Sequence, residues 1–120
     1  MLTPKQIAYE VTKALDAKKG MDIKLLKIDR VSSLADYFLI CTGTSNTHVK
    51  TLCDSAEYAL EQAGETMIGR EGHRGNTWEL LDFGCVVIHV FTDEARKFYD
   101  LERLWADAEQ IDISAIVTEG

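Results

Sequence analysis

Proline is nearly missing from this chain of 120 residues, occurring once at Pro4, and there is no low-complexity run and no internal repeat. Those absences exclude a linker-like or disordered protein and leave one globular domain. No apolar stretch approaches the roughly 20 residues a membrane-spanning helix needs. The cysteines number three, Cys41, Cys53 and Cys85, and lie far apart with no CxxC pair. A disulfide framework and a structural zinc site are thereby disfavoured, and the three read as buried thiols. Positive charge is also in deficit. Thirteen Lys and Arg stand against 20 Asp and Glu, a formal net charge of −7. Nucleic-acid binding draws most of its affinity from cations that release counterions, so a broad, sequence-specific nucleic-acid contact is not expected; a basic protein partner fits better. The chain opens directly on a helical pattern without a signal peptide, which predicts a cytoplasmic protein.

What is present is strongly periodic. Thr3-Pro4-Lys5-Gln6 forms a capping box with proline at the first helical position, and Ile7, Val11, Ala14 and Leu15 follow at helical spacing as far as Gly20. Asp22 to Asp29 reads as a strand, a Ser32-Ser33 turn follows, and Tyr37 to Thr42 is a solid apolar strand. A second helix is predicted from Asn46 to Ala63, with Val49, Leu52, Cys53, Ala56 and Leu60 as its buried stripe. Thr66 to Glu71 suggests a short strand, Gly72 to Asn76 a loop, and Thr77–Asp82 with Cys85–Phe91 a hairpin. Thr92 caps a third helix with Asp93 and Glu94 in its first turn and Phe98, Leu101, Trp105 and Ala108 on its apolar side. The expected class is α/β, a mixed sheet flanked by helices in the order α-β-β-α-(β)-β-β-α. Residues 1–106 form the domain and 107–120 a C-terminal tail, whose Ile111, Ile113, Ile116 and Val117 either pack on it or stay loose.

Three blocks stand out. Ser33–Val49, SLADYFLICTGTSNTHV, runs a strand through Thr42-Gly43-Thr44-Ser45 into a helix. Glycine's backbone freedom and the Ser45 N-cap predict free N–H groups there, the usual place for an anion. Thr77–Phe91, TWELLDFGCVVIHVF, and Phe98–Trp105, FYDLERLW, follow. In this order the blocks closely resemble the Iojap family of ribosomal silencing factors, over nearly the whole chain. The resemblance implies a fold similar to that of nucleotidyltransferases and no enzymatic activity or cofactor. It implies a partner on the subunit-joining face of the large ribosomal subunit, the ribosomal protein numbered fourteen, and translation silenced by keeping the small subunit away.

The hairpin is the candidate docking surface. With Phe83 and Gly84 as the loop, Asp82 pairs with Cys85, Leu80 with Val87 and Trp78 with His89, all on one face, while Glu79, Leu81, Val86 and Ile88 take the other. Taken alone, Trp78 reads as a core tryptophan. The resemblance makes Trp78, Leu80, Leu81, Asp82 and Phe83 the partner-binding candidates, with Arg70 and Glu71 behind them; which of Leu80 and Leu81 faces outward stays open. Phe98 and Trp105 read as core, Tyr99 and Leu104 as interfacial. An exposed apolar hairpin also allows a homodimer away from the ribosome.

The rival reading is a nucleotide-binding or nucleotidyltransferase domain built on Gly43-Thr44-Ser45. That chemistry needs two carboxylates at i and i+2 on a strand to hold Mg²⁺. Glu79 and Asp82 face opposite sides, Asp22 and Asp29 are too far apart, and Asp93-Glu94 lies at a helix start. No metal site is therefore assigned. His48 is expected to extend the helix cap, and His89 to be a hydrogen-bonded structural histidine. Asp36 caps locally or pairs with Arg30 or His48. A third role, large-subunit assembly, would share the docking site and differ in timing.

Overall fold

The computed structural model describes residues 2–72 and 77–117. It contains helices α1 (Pro4–Ala17), α2 (Asn46–Gln62), α3 (Asp93–Tyr99) and α4 (Leu101–Leu104). The strands are β1 (Met21–Lys27), β2 (Tyr37–Gly43), β3 (Gly69–Gly72), β4 (Trp78–Asp82), β5 (Val86–Thr92) and β6 (Glu109–Ile111). They form one six-stranded sheet in the order β3-β4-β5-β2-β1-β6. β2 and β5 run parallel at its centre, and every other pairing is antiparallel. The mixed α/β class expected from the sequence is what is observed. β6 is an additional strand, laid along β1 with Leu25 opposite Ile111. Of the expected loop from Gly72 to Asn76, Gly72 ends β3 and residues 73–76 lie outside the described residues.

Local chemistry sets the boundaries. Thr3 Oγ1 accepts from the Gln6 N–H at 3.2 Å and Gln6 Oε1 accepts from the Thr3 N–H at 2.9 Å, so both halves of the capping box are made. Every residue of β2 is buried, as its apolar run requires of a central strand. α1 and α2 cover one face of the sheet, burying Ile7, Val11, Leu15, Leu52 and Leu60 against Leu39, Leu81 and Ile88. The shorter α3 and α4 cover the other, where Leu26, Ile28, Phe38, Ile40, Val87 and Phe91 form a second cluster. Ile113, beyond β6, is also buried in the first cluster, and Ile116 and Val117 pack against it. Among the described residues no helix is long and apolar enough to cross a membrane.

Two expectations need correction. The third helix is not continuous: Asp100 takes a left-handed conformation (φ 50°, ψ 51°) and splits it into α3 and α4. Phe98 and Trp105, seven residues apart, would share a side only on an unbroken helix. Trp105 does pack, edge-on to Phe38 with centroids 5.2 Å apart, but Phe98 is 81% exposed and is not core. Gly43 is the second. Its φ is not positive; it is needed because a Cβ there would come within 2.9 Å of Val49 Cγ2 and 3.0 Å of the Val49 nitrogen. The missing side chain lets the first turn of α2 close over the end of β2.

Candidate functional site

The β4–β5 hairpin is slipped by two residues from the expected register. Asp82 lies opposite Val87, Leu80 opposite His89 and Trp78 opposite Phe91. Gly84 and Cys85 make the turn, since the Phe83 N–H donates to the Val86 carbonyl at 3.0 Å. Gly84 sits at φ 84°, and the Asp82 carboxylate accepts its N–H at 2.8 Å. Only glycine adopts that backbone cheaply, so the turn settles on Gly84 rather than ahead of it. A slip of two preserves the pleat, and the division of side chains between faces is therefore the expected one.

The candidate residues fall into three groups. Trp78, Leu80 and Asp82 stand on the α3–α4 side of the sheet and are half-buried. Leu81 and Phe83 point the other way, sealed beneath α2. Their side chains are core, and of the two leucines Leu80 is the one that reaches the surface. On the edge strand β3, Glu71 is exposed while Arg70 is turned inward. The Arg70 guanidinium donates to Asp54 at 2.8 Å, Glu57 at 2.9 Å and Glu79 at 3.1 Å, tying β3 to α2 and β4. Glu79 is buried, so this cation is what makes its charge tolerable.

Behind Trp78 lies an aromatic stack. The indole Nε1–H donates to His89 Nδ1 at 3.2 Å, and the indole stacks on Phe91 with centroids 5.1 Å apart. His89 therefore carries its proton on Nε2, which is buried without a partner. Burial pushes the His89 pKa down to about 4. Its role is structural, as expected. Tyr99 covers the outer side of the indole at 4.4 Å, and Phe98 meets Tyr99 edge-on at 5.1 Å. Phe98, the most exposed of these rings, is the residue that periodicity misplaced. The missing signal was the Asp100 break, which neither glycine nor proline announces.

The glycine turn is internally committed. The Thr44 N–H donates to His48 Nδ1 at 2.8 Å, the His48 N–H to Ser45 Oγ at 3.1 Å, and the His48 ring bonds the Lys18 carbonyl at 2.8 Å. His48 thus extends the cap and clasps the end of α1. Because β2 and β5 are parallel neighbours, their C-terminal ends share a cleft of about 650 Å³. Gly43, Thr44 and Ser45 line one wall and Thr92, Asp93 and Glu94 the other, an adjacency the linear spacing did not reveal. Asp93 is paired with Lys97 at 2.9 Å. Among the described residues no group of three or more His, Cys, Asp or Glu is arranged to hold a metal ion.

With this geometry established, similarity to known proteins is informative. The family described as "Ribosomal silencing factor during starvation" matches residues 2–119. The ribosomal silencing factor RsfS of Chromobacterium violaceum is 39% identical over 100 residues, 83% of this chain and 82% of that protein. The protein of the same name from Bacillus subtilis is 36% identical over 112 residues, covering 93% of this chain and 95% of its own. A crystal structure of a Chromobacterium violaceum protein superposes with a TM-score of 0.85 at 34% identity, spanning 94% of this chain and 93% of that one.

Proposed function

Because the chain belongs to the family of ribosomal silencing factors, non-enzymatic regulators of translation that act on the large ribosomal subunit, we propose that it works by occlusion through the outer face of β4. Trp78, Leu80 and Asp82 form the contact, with Glu71 at the sheet edge. Leu81, Phe83 and Arg70 act behind them, holding the strand in place. The partner is the ribosomal protein numbered fourteen on the subunit-joining face, and the protein operates in the cytoplasm, where subunits join. The observation that carries the reading is the half-open state of this face. Trp78 and Leu80 remain half-buried beside the core cluster, the indole lying between Phe91 and Tyr99, in a chain whose net charge of −7 complements a basic ribosomal protein. An interface of ~800 Å² per partner suffices, because a few anchors supply most of the energy.

Sedimentation of mixed subunits tests the mechanism. Adding the protein at saturating dose should convert joined particles into free large and small subunits, with the protein travelling on the large one. Undiminished joining would reject occlusion.

A further inference from the structure

The surface does not end at β4. Tyr99 lies against the exposed side of Trp78, and Phe98 stands edge-on to Tyr99, so the rings step outward without a gap from the core to the tip of α3. The left-handed residue Asp100 then turns the chain and brings Leu104, 74% exposed, to the same open hollow of about 730 Å³, lined also by Lys97 and Arg103. A phenylalanine exposed to 81% and a leucine exposed to 74% in one hollow are costly to leave in water, and neither belongs to the two core clusters. We infer that Phe98 and Leu104 at the α3–α4 kink are a second anchor of the docking surface, received by an apolar pocket on a basic protein of the large subunit.

Two observations commit the occupant to protein. The first is continuity: a partner that covers Trp78 meets Tyr99 in the same step and Phe98 in the next. The second is charge. An RNA contact on exposed aromatics needs free cations around the rings. Here Lys97 is held by Asp93 at 2.9 Å, and an acidic residue, Asp100, lines the hollow together with Arg103. The patch is close to neutral within an acidic chain, which suits an apolar pocket in basic surroundings. The inference rests on the β4 docking reading and enlarges its footprint.

The test measures affinity of the full chain for isolated large subunits by co-sedimentation, with three variants. Phe98→Ala/Leu104→Ala should bind about thirtyfold more weakly or worse, the loss of a hot spot, while unfolding at the wild-type temperature because both side chains are exposed. Leu80→Ala reports on β4 alone. Tyr58→Ala, an aromatic 65% exposed on α2 across the sheet, should bind as wild type. If Leu80→Ala weakens binding and the double variant does not, the second anchor is overturned and the β4 reading stands. If the double variant alone weakens it, the β4 reading falls and the kink carries the contact. Wild-type affinity in both would overturn both. Repeating the titration on protein-stripped large-subunit RNA separates the occupants: a difference between wild type and double variant that persists there would overturn the assignment to a protein pocket.

Discussion

The two faces of the sheet are built for different ends. On one, α1 and α2 are long, capped and stacked side by side, and Leu15, Leu39, Leu52, Leu81 and Ile88 are wholly excluded from water. On the other, seven-residue α3 and four-residue α4 leave Trp78 and Leu80 half-covered and Phe98 and Leu104 bare. Long helices can seal a face; short, kinked ones leave rows of apolar side chains with one flank open. The first face is thus sealed throughout, and the second, though it has a core of its own, is the one the proposed docking uses. Adjacent residues of one strand, Leu81 and Leu80, belong to the different regimes.

The largest expected effect tests that contrast directly. Leu81→Ala empties a fully buried site and should cost about 3 kcal/mol in a denaturant titration. Leu80→Ala removes a side chain that water already reaches and should cost about 1 kcal/mol. Equal losses would mean that both faces are sealed alike.

Acid should separate the faces as well, by a similar total but spread over pH. His89 has an ordinary pKa near 6.5 when unfolded and about 4 in the fold, so the unfolded chain binds the extra proton first. Stability from the neutral ring is complete above pH 6.5 and declines as pH falls toward 4, by at most about 3 kcal/mol. Glu102 adds a later loss. Hydrogen bonds from Arg96 and Lys24, working against partial burial, hold its carboxyl at about 2 rather than 4.5, so its contribution disappears between pH 4.5 and 2. Both groups lie on the α3–α4 side. Tryptophan fluorescence, which reports Trp78 and Trp105, should therefore respond to acid by pH 5, and the His89→Phe variant should lose the portion between 6.5 and 4. A profile identical to wild type in that variant would remove His89 from the account.

How far the sequence foretold this division depends on the range of the interaction. The caps at Thr3, Ser45 and Thr92 are local and legible, and all three form. The faces of β4 were legible too, because a two-residue slip in register returns each side chain to its own side. The turn itself was not, because Asp82 and Gly84 decide it together. Three features are tertiary. Glu109–Ile111 has no strand pattern of its own and is ordered by β1. Arg70 is claimed by carboxylates on α2 and β4 that are distant in sequence. Asp100 interrupts a helical stripe that reads as continuous, and with it went the location of Phe98. The assignment of β4 side chains to faces, which depends on pleat alternation, is observed; the placement of Phe98 in the core, which depends on an unbroken helix, is not.

The smallest effect is the sharpest probe of the division, because it asks what a helix cap is for on each face. Ser45 and Thr92 have the same role: Ser45 Oγ accepts from the His48 N–H at 3.1 Å, and Thr92 Oγ1 from the Ala95 N–H at 3.4 Å. Loss of a capping oxygen costs ~1 kcal/mol, and less where the bond is long. Ser45→Ala weakens a helix whose stripe is buried, so about 1 kcal/mol should appear in global unfolding with affinity for large subunits unchanged. Thr92→Ala weakens a two-turn helix that buries little, so global stability should fall by about half as much. That helix aims Tyr99 and Phe98, however, and its fraying must be reversed each time the surface is engaged. A severalfold loss of affinity should accompany the smaller loss of stability. Opposite rankings in the two measurements are what separate faces require; a single ranking would mean that both helices serve one cooperative purpose.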